Sequence, residues 1–162
     1  MKFYERWFCK ILSQGRVPNH IAFIMDGNRR FAVKKKLHKT EGHSYGFQAL
    51  RRVLNICFEL KVKELTVYAF AIANFDRSKR EVRTLMELFM KVTQEAIDEK
   101  DFLMNNQIKL RICGKREMLP KDILNKFEAV SEMTKHNTKV LLNVCLAYTS
   151  VAEIEDSARK SI

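Results

Sequence analysis

No run of apolar residues in this chain approaches the roughly 20 that a helix needs to cross a bilayer, so no stretch reads as a membrane span. The opening MKFYERWFCKILSQGR lacks a continuous apolar core and does not read as a signal peptide. Glycine and proline are scarce, five and two among 162 residues, which argues against a low-complexity or disordered chain. The hydrophobic share, 46%, is enough to build the core of one domain. Cys9, Cys57, Cys113 and Cys145 form no CxxC pair and no Cys/His group at zinc spacing. Three of them, Cys57, Cys113 and Cys145, lie in apolar runs, so buried reduced thiols in a reducing compartment are expected. There is no internal repeat. No G-x-G-x-x-G follows a strand-like run, which removes the dinucleotide-binding fingerprint.

Positive charge is abundant. Thirty Lys and Arg face 19 Asp and Glu, a net +11. Such a surface attracts anions: nucleic acid, acidic lipid headgroups or diphosphates. A merely solvated basic surface would look the same, so charge alone does not choose. The basic residues are spread over many elements and no nucleic-acid-binding motif is present, so nucleic acid is not an expected partner.

Residues 3 to 14 carry Phe3, Trp7, Phe8, Ile11 and Leu12 at helical spacing, with Lys2, Arg6 and Lys10 elsewhere around the helix. That pattern suits a membrane-surface helix, and it suits equally a helix packed on its own domain. Short apolar runs at His20–Met25, Leu65–Ala71, Ile108–Cys113 and Val140–Ala147 read as buried strands. Between them fall a basic helix-compatible stretch to about Leu37, a helix from Glu41 to about Leu60, and a long helix over 78–104. Another helix follows Pro120, and one begins after Ser150. Ser78 is the expected N-cap of the long helix. Strands alternating with helices predict an α/β fold, a parallel sheet with helices on both faces. In such sheets ligands sit at the carboxyl ends of the strands.

The residues at the first such end are Met25-Asp26-Gly27-Asn28-Arg29-Arg30-Phe31-Ala32. A carboxylate there can hold Mg²⁺ when phosphate oxygens complete the shell. Gly27 lets backbone approach closely, the amides from Asn28 onward face an anion at a helix start, and Arg29 and Arg30 add fixed positive charge. An Asp-Gly turn leading into an ordinary basic helix would leave the same residues, so this loop alone does not decide.

MDGNRRFA resembles the first motif of the cis-prenyltransferases, the undecaprenyl and dehydrodolichyl diphosphate synthases, and is most similar to eukaryotic members. Collinear matches follow: EGHSYGF at 41–47, LTVYAFAIANFDRSKREV at 65–82, IKLRICG at 108–114 and LLNVCLAYTS at 141–150. Together they cover most of residues 18–154. The resemblance implies a parallel sheet flanked by helices around a hydrophobic tunnel, with residues 1–17 as an N-terminal amphipathic helix and 18–162 as the prenyltransferase domain. It implies that the chain condenses isopentenyl diphosphate with farnesyl diphosphate into a long polyprenyl diphosphate for dolichol, with Mg²⁺ as cofactor. Asp26, Asn28 and Asn74 are then the catalytic candidates, Asp26 holding the metal. Gly27, Asn28, Arg29, Arg30, Lys39 and His43 would hold the allylic diphosphate, Arg77 would serve the diphosphate region opposite, and Asn74 and Phe75 would line the site. Phe70, Leu85, Met86, Phe89 and Val92 lie on elements able to receive the growing chain, or to form simple core.

The resemblance also implies a setting: the cytosolic face of the endoplasmic reticulum membrane, peripheral attachment, and a partner subunit of the Nogo-B-receptor kind. Several positions depart from the family. Ala71 and Ala73 stand where it usually has Ser and Glu, Lys115 where it has Asp, and Val151 where it has Arg. Lys39 replaces an arginine, which keeps the charge and loses the bidentate fork. The family's later R-T-S-G-E-x-R-L-S segment, which serves isopentenyl diphosphate, has no counterpart in these 162 residues, so the C-terminal strands are expected to be missing. A second class of function follows from these departures: a non-catalytic interaction subunit.

Overall fold

A computed structural model describes residues 3–38 and 41–161. The chain opens with α1 (Phe3–Leu12), then runs β1 (His20–Ile24), α2 (Asn28–Lys34), α3 (Glu41–Glu59), β2 (Glu64–Ala71), α4 (Lys79–Asp98) and α5 (Lys100–Asn105). It continues with β3 (Ile108–Cys113), α6 (Lys121–Met133), β4 (Val140–Tyr148) and α7 (Ser150–Lys160). Short 3-10 turns, Ile72–Asp76 and Arg116–Met118, leave β2 and β3. All strand pairs are parallel, in the order β1-β2-β4-β3. This is the parallel sheet that the alternation predicts.

Helix starts follow local chemistry. The Ser78 hydroxyl accepts the Glu81 N–H at 3.3 Å, and the Thr149 hydroxyl accepts that of Ala152 at 3.2 Å, each satisfying a donor that the first turn leaves open. Pro120 directly precedes α6. The long helix expected over 78–104 is two helices, because Glu99 leaves helical geometry (φ −90°, ψ 27°) between α4 and α5. Its carboxylate accepts from Arg51 of α3. The apolar stripe runs on through Phe102 and Leu103, which hides the break from periodicity.

Strand register decides which face is apolar. Leu65 pairs with Leu142, Val67 with Val144, and Leu110 with Leu142, so one face carries a continuous apolar layer. The buried clusters form there: Phe70, Leu85, Phe89, Ile112, Ile123, Phe127 and Leu146 in one, and Cys57, Val62 and Leu65 with Val53 and Leu54 of α3 in the other. The opposite face is polar. His20 Nε2 lies 2.8 Å from Thr66 Oγ1, and Asn143 donates to Glu64 at 2.8 Å and to Thr66 at 3.1 Å. The sequence pattern predicts helices on both faces; the buried apolar packing among the described residues lies on one. The run at His20–Met25 reads as a fully buried strand, yet β1 is the sheet's edge and Ile24 is 78% exposed. Continuous hydrophobicity does not separate an edge from a centre.

β3, the other edge, is covered by side chains from α6 and the turn beyond it. Thr134 accepts the Leu110 N–H at 3.0 Å while donating to Val130 at 2.8 Å. Ser131 donates to the Leu110 carbonyl at 3.0 Å, and Asn137 to that of Ile108 at 2.7 Å. These bonds occupy groups that an open edge would offer to another strand. Thr134→Val keeps the shape and leaves the Leu110 N–H unsatisfied. It is expected to lower stability by about 1–3 kcal/mol in urea unfolding.

Candidate active site

The carboxyl end of β1 runs straight into Asp26, whose side chain is 78% exposed. Gly27 follows in the left-handed region (φ 85°, ψ −4°), which glycine adopts without strain, and it caps α2. Its N–H donates to Asp26 Oδ1 at 2.5 Å, and Arg30 donates to Asp26 Oδ2 at 2.9 Å. These two contacts, the Gly27 amide first, hold the Asp26 carboxyl below its ordinary range. Asp26 therefore stays ionised on an open wall. The first intrahelical bond is Phe31 N–H to Gly27 O at 2.8 Å, so the amides of Asn28, Arg29 and Arg30 precede the ladder.

What fixes this loop is α3. A methyl on Gly42 would stand 2.1 Å from the Asn28 carbonyl oxygen, and one on Gly46 would stand 2.2 Å from Asn28 Oδ1. Gly42 and Gly46 are one helical turn apart and form a notch on α3 into which Asn28 is pressed, backbone and amide alike. The glycines of EGHSYGF thus act by what they leave out.

His43, between those glycines, is 8% exposed, and its Nε2 lies 3.3 Å from Glu81 Oε1. The same Glu81 oxygen accepts from Arg77 at 2.8 Å and stands 3.9 Å from Arg29 Nε. Burial would raise the Glu81 carboxyl; Arg77, His43 and Arg29 outweigh it and hold it below the usual value. Burial pushes His43 down, partly opposed by Glu81, so His43 is a neutral imidazole near pH 7. Glu81 is the hub that aims Arg77, Arg29 and His43 at one space. Sequence reading passes over it as one more charge in the first turn of a long helix.

Two cavities meet at this point. The first, about 620 Å³, is lined by Asp26, Gly27, Asn28, Arg29, Arg30, His43, Asn74 and Arg77, with Leu85 and Phe89 behind them. The second, about 490 Å³, lies between the apolar sheet face and α3, α4, α5 and α6, lined by Leu54, Phe58, Val92, Phe102, Leu110 and Val144. Phe47, Leu50, Val67, Ala69, Leu88 and Phe89 wall both. A cationic mouth opens onto an apolar chamber, the shape of an amphiphile with an anionic head.

Other expected site residues fall elsewhere. Phe70 is fully buried and stacks edge-on against Phe75 and Phe89 at 4.8 and 5.9 Å. Neither Phe70 nor Phe75 lines these two cavities, and Met86 is core as well. Their nearness in sequence to Asn74 and Arg77 does not bring them to the wall, because the bulge between Tyr68 and Phe70 and the turn after β2 direct both rings into the core. Lys39 lies outside the described residues. Among the described residues no three His, Cys, Asp or Glu side chains cluster as a metal cage. Asp26, ionised, exposed and alone, suits an Mg²⁺ whose remaining ligands are water and substrate oxygens.

Residues 24–162 match the Prenyltransf family model, undecaprenyl diphosphate synthase. The chain belongs to the undecaprenyl diphosphate synthase family. It is 42% identical over 160 residues to a dehydrodolichyl diphosphate synthase complex subunit of Homo sapiens, covering 99% of this chain and 48% of that protein. A Schizosaccharomyces pombe complex subunit is 42% identical over 158 residues, covering 98% of this chain and 60% of its own length. The chain thus spans about half to three-fifths of these relatives. Among solved structures, a lavandulyl diphosphate synthase from Lavandula x intermedia in complex with dimethylallyl diphosphate superposes with TM-score 0.82 at 28% identity, over 88% of this chain and 60% of that one. A Campylobacter jejuni structure described as a probable undecaprenyl diphosphate synthase gives 0.72 at 25% identity, over 90% and 62%. The fold is therefore that of the cis-prenyltransferases.

Glu81 raises the affinity of His43 for its proton. Glu81→Gln is expected to move the His43 imidazole titration, followed by NMR, to lower pH; a move upward would contradict the hub.

Proposed function

We propose that this chain binds an allylic diphosphate, head in the cationic mouth and tail in the apolar chamber, as part of a cis-prenyltransferase. The reaction would join isopentenyl diphosphate to farnesyl diphosphate and extend it into a long polyprenyl diphosphate for dolichol. One observation carries this reading: the charged cavity and the apolar cavity share a wall of six residues. A diphosphate-only ligand would have no use for the chamber, and a neutral lipid none for the mouth. The intact head-group cradle also favours an enzyme over a non-catalytic subunit.

In such a reaction the allylic C–O bond breaks and negative charge grows on the departing diphosphate. The isopentenyl double bond supplies the electron pair for the new C–C bond, and a proton is then lost. Arg29, Arg30 and the amides at the start of α2 face the leaving group, where fixed donors stabilise charge without reorganising. Arg77, held by Glu81, adds positive charge from the side of β2. Neutral His43 gives its one N–H, on Nε2, to Glu81 and so helps hold the carboxylate that positions Arg77. Asn74 offers an amide at the junction of mouth and β2. Asp26 would hold Mg²⁺, which when bound offsets charge on the diphosphate.

The two relatives named as complex subunits support a partner subunit, for which the Nogo-B-receptor kind is the proposed identity. We place the protein at the cytosolic face of the endoplasmic reticulum. α1 supports this: Phe3, Trp7, Phe8 and Leu12 are exposed, while buried Cys9 and the Arg6–Glu59 ion pair at 3.1 Å tie the helix to α3.

Farnesyl diphosphate with Mg²⁺ should bind this chain in calorimetry, and Asp26→Ala should weaken it by about tenfold or more. Equal affinity, or no dependence on Mg²⁺, would contradict the reading. Trp7→Asp with Phe8→Asp should reduce co-sedimentation with anionic phospholipid vesicles; unchanged sedimentation would remove α1 as the contact.

A further inference from the structure

On the sheet face opposite the apolar layer, two thiols face each other. Cys113 ends β3 and is the register partner of Cys145 on β4. Ile112 and Val144, one residue earlier on each strand, point into the apolar layer, so both cysteines project from the polar face. Register partners on neighbouring strands lie about 4.8 Å apart, within the range of roughly 4.4–6.8 Å over which a disulfide spans two Cα atoms. Cys145 is buried; Cys113, on the edge strand, is half-buried and open to small reagents. Neither lines the mouth or the chamber.

We propose that Cys113 and Cys145 form a cross-strand dithiol, a modification site at which hydroperoxides close a reversible disulfide between β3 and β4. The Cys113 thiolate attacks the peroxide O–O bond, taking one oxygen as sulfenic acid while the other leaves as water once protonated. The Cys145 sulfur then displaces the sulfenic oxygen, its thiol proton leaves with that oxygen as a second water, and the S–S bond forms. Overall two thiols and one hydrogen peroxide give one disulfide and two waters. A thiol reductant reverses it.

The surroundings assign the two roles. A hydrogen bond from Cys145 pulls Cys113 down to about 7, with Arg111 and Arg116 pulling the same way, while burial and Glu153 oppose. Cys145 is pushed up, first by that same bond and then by burial. Cys113 is thus the attacking thiolate and Cys145 the resolving thiol. Cys9 and Cys57 provide a contrast within the same molecule. Both are buried and near one another, and burial pushes Cys57 up, so neither should react at low peroxide.

The test treats the full chain with one equivalent of hydrogen peroxide and maps its peptides by mass spectrometry. A Cys113–Cys145 linked peptide, lighter by two hydrogens and released by dithiothreitol, is expected, with Cys9 and Cys57 still reduced. In Cys145→Ser, dimedone should label Cys113; in Cys113→Ser, Cys145 should stay unlabelled. Without any oxidant, phenylarsine oxide should add once to the native chain and not to either variant. Recovery of Cys113 and Cys145 in separate peptides, or linkage only between molecules, overturns the proposal. So does arsenical binding that survives Cys113→Ser, since that variant remains a folded reference if its thermal melt is unchanged.

Discussion

The site depends on how closely α3 approaches the start of α2. Two glycines one turn apart let helix backbone touch the carbonyl and the side-chain amide of Asn28, at positions where any methyl would stand near 2.1 Å from an oxygen. Asn28 is the first residue of α2, so seating it aims the amides of the first turn and the two arginines behind them. Gly27, in its left-handed conformation, turns the chain from β1 so that Asp26 faces the same space. The arrangement of donors around this mouth is thus a consequence of helix packing, set before any ligand arrives. Preorganisation of this kind is what makes fixed donors effective against growing charge.

Charge and apolar surface are then arranged in sequence along one space. Glu81 neutralises part of the surrounding positive charge and holds Arg77, Arg29 and His43 in place. Behind them Leu50, Val67, Leu88 and Phe89 close the mouth and open the chamber. Because α3, α4, α5 and α6 gather on one sheet face, the chamber is built between helices and sheet, while the other face is left to a polar network. That polar face carries the Cys113 and Cys145 thiols.

Much of this was legible in the residues. The four strands, the Ser78 cap, the Asp-Gly turn and the basic start of α2 each have a local cause: apolar runs, a hydroxyl before a helix, glycine where φ must be positive. Gly27, Asn28, Arg29, Arg30, His43, Asn74 and Arg77 do gather around one cavity with Asp26. Features that depend on distant partners were not legible. Glu81 matters through Arg29 and His43, which lie on α2 and α3 much earlier in the chain, and no local pattern marks it. Phe70 and Phe75 share a motif with Asn74, but packing sends their rings into the core. The exposed face of β1 follows from its place at the sheet's edge, which its composition does not encode. The break at Glu99 sits inside an unbroken apolar stripe.

The most direct test of this account is Gly46→Ala, assayed for farnesyl diphosphate affinity beside a thermal melt and a crystal structure. The added methyl is expected to push Asn28 out of its notch and weaken binding of the diphosphate by about tenfold or more, while the sheet and its core persist. An unmoved Asn28 and unchanged affinity would show that the α2–α3 contact does not set the cradle.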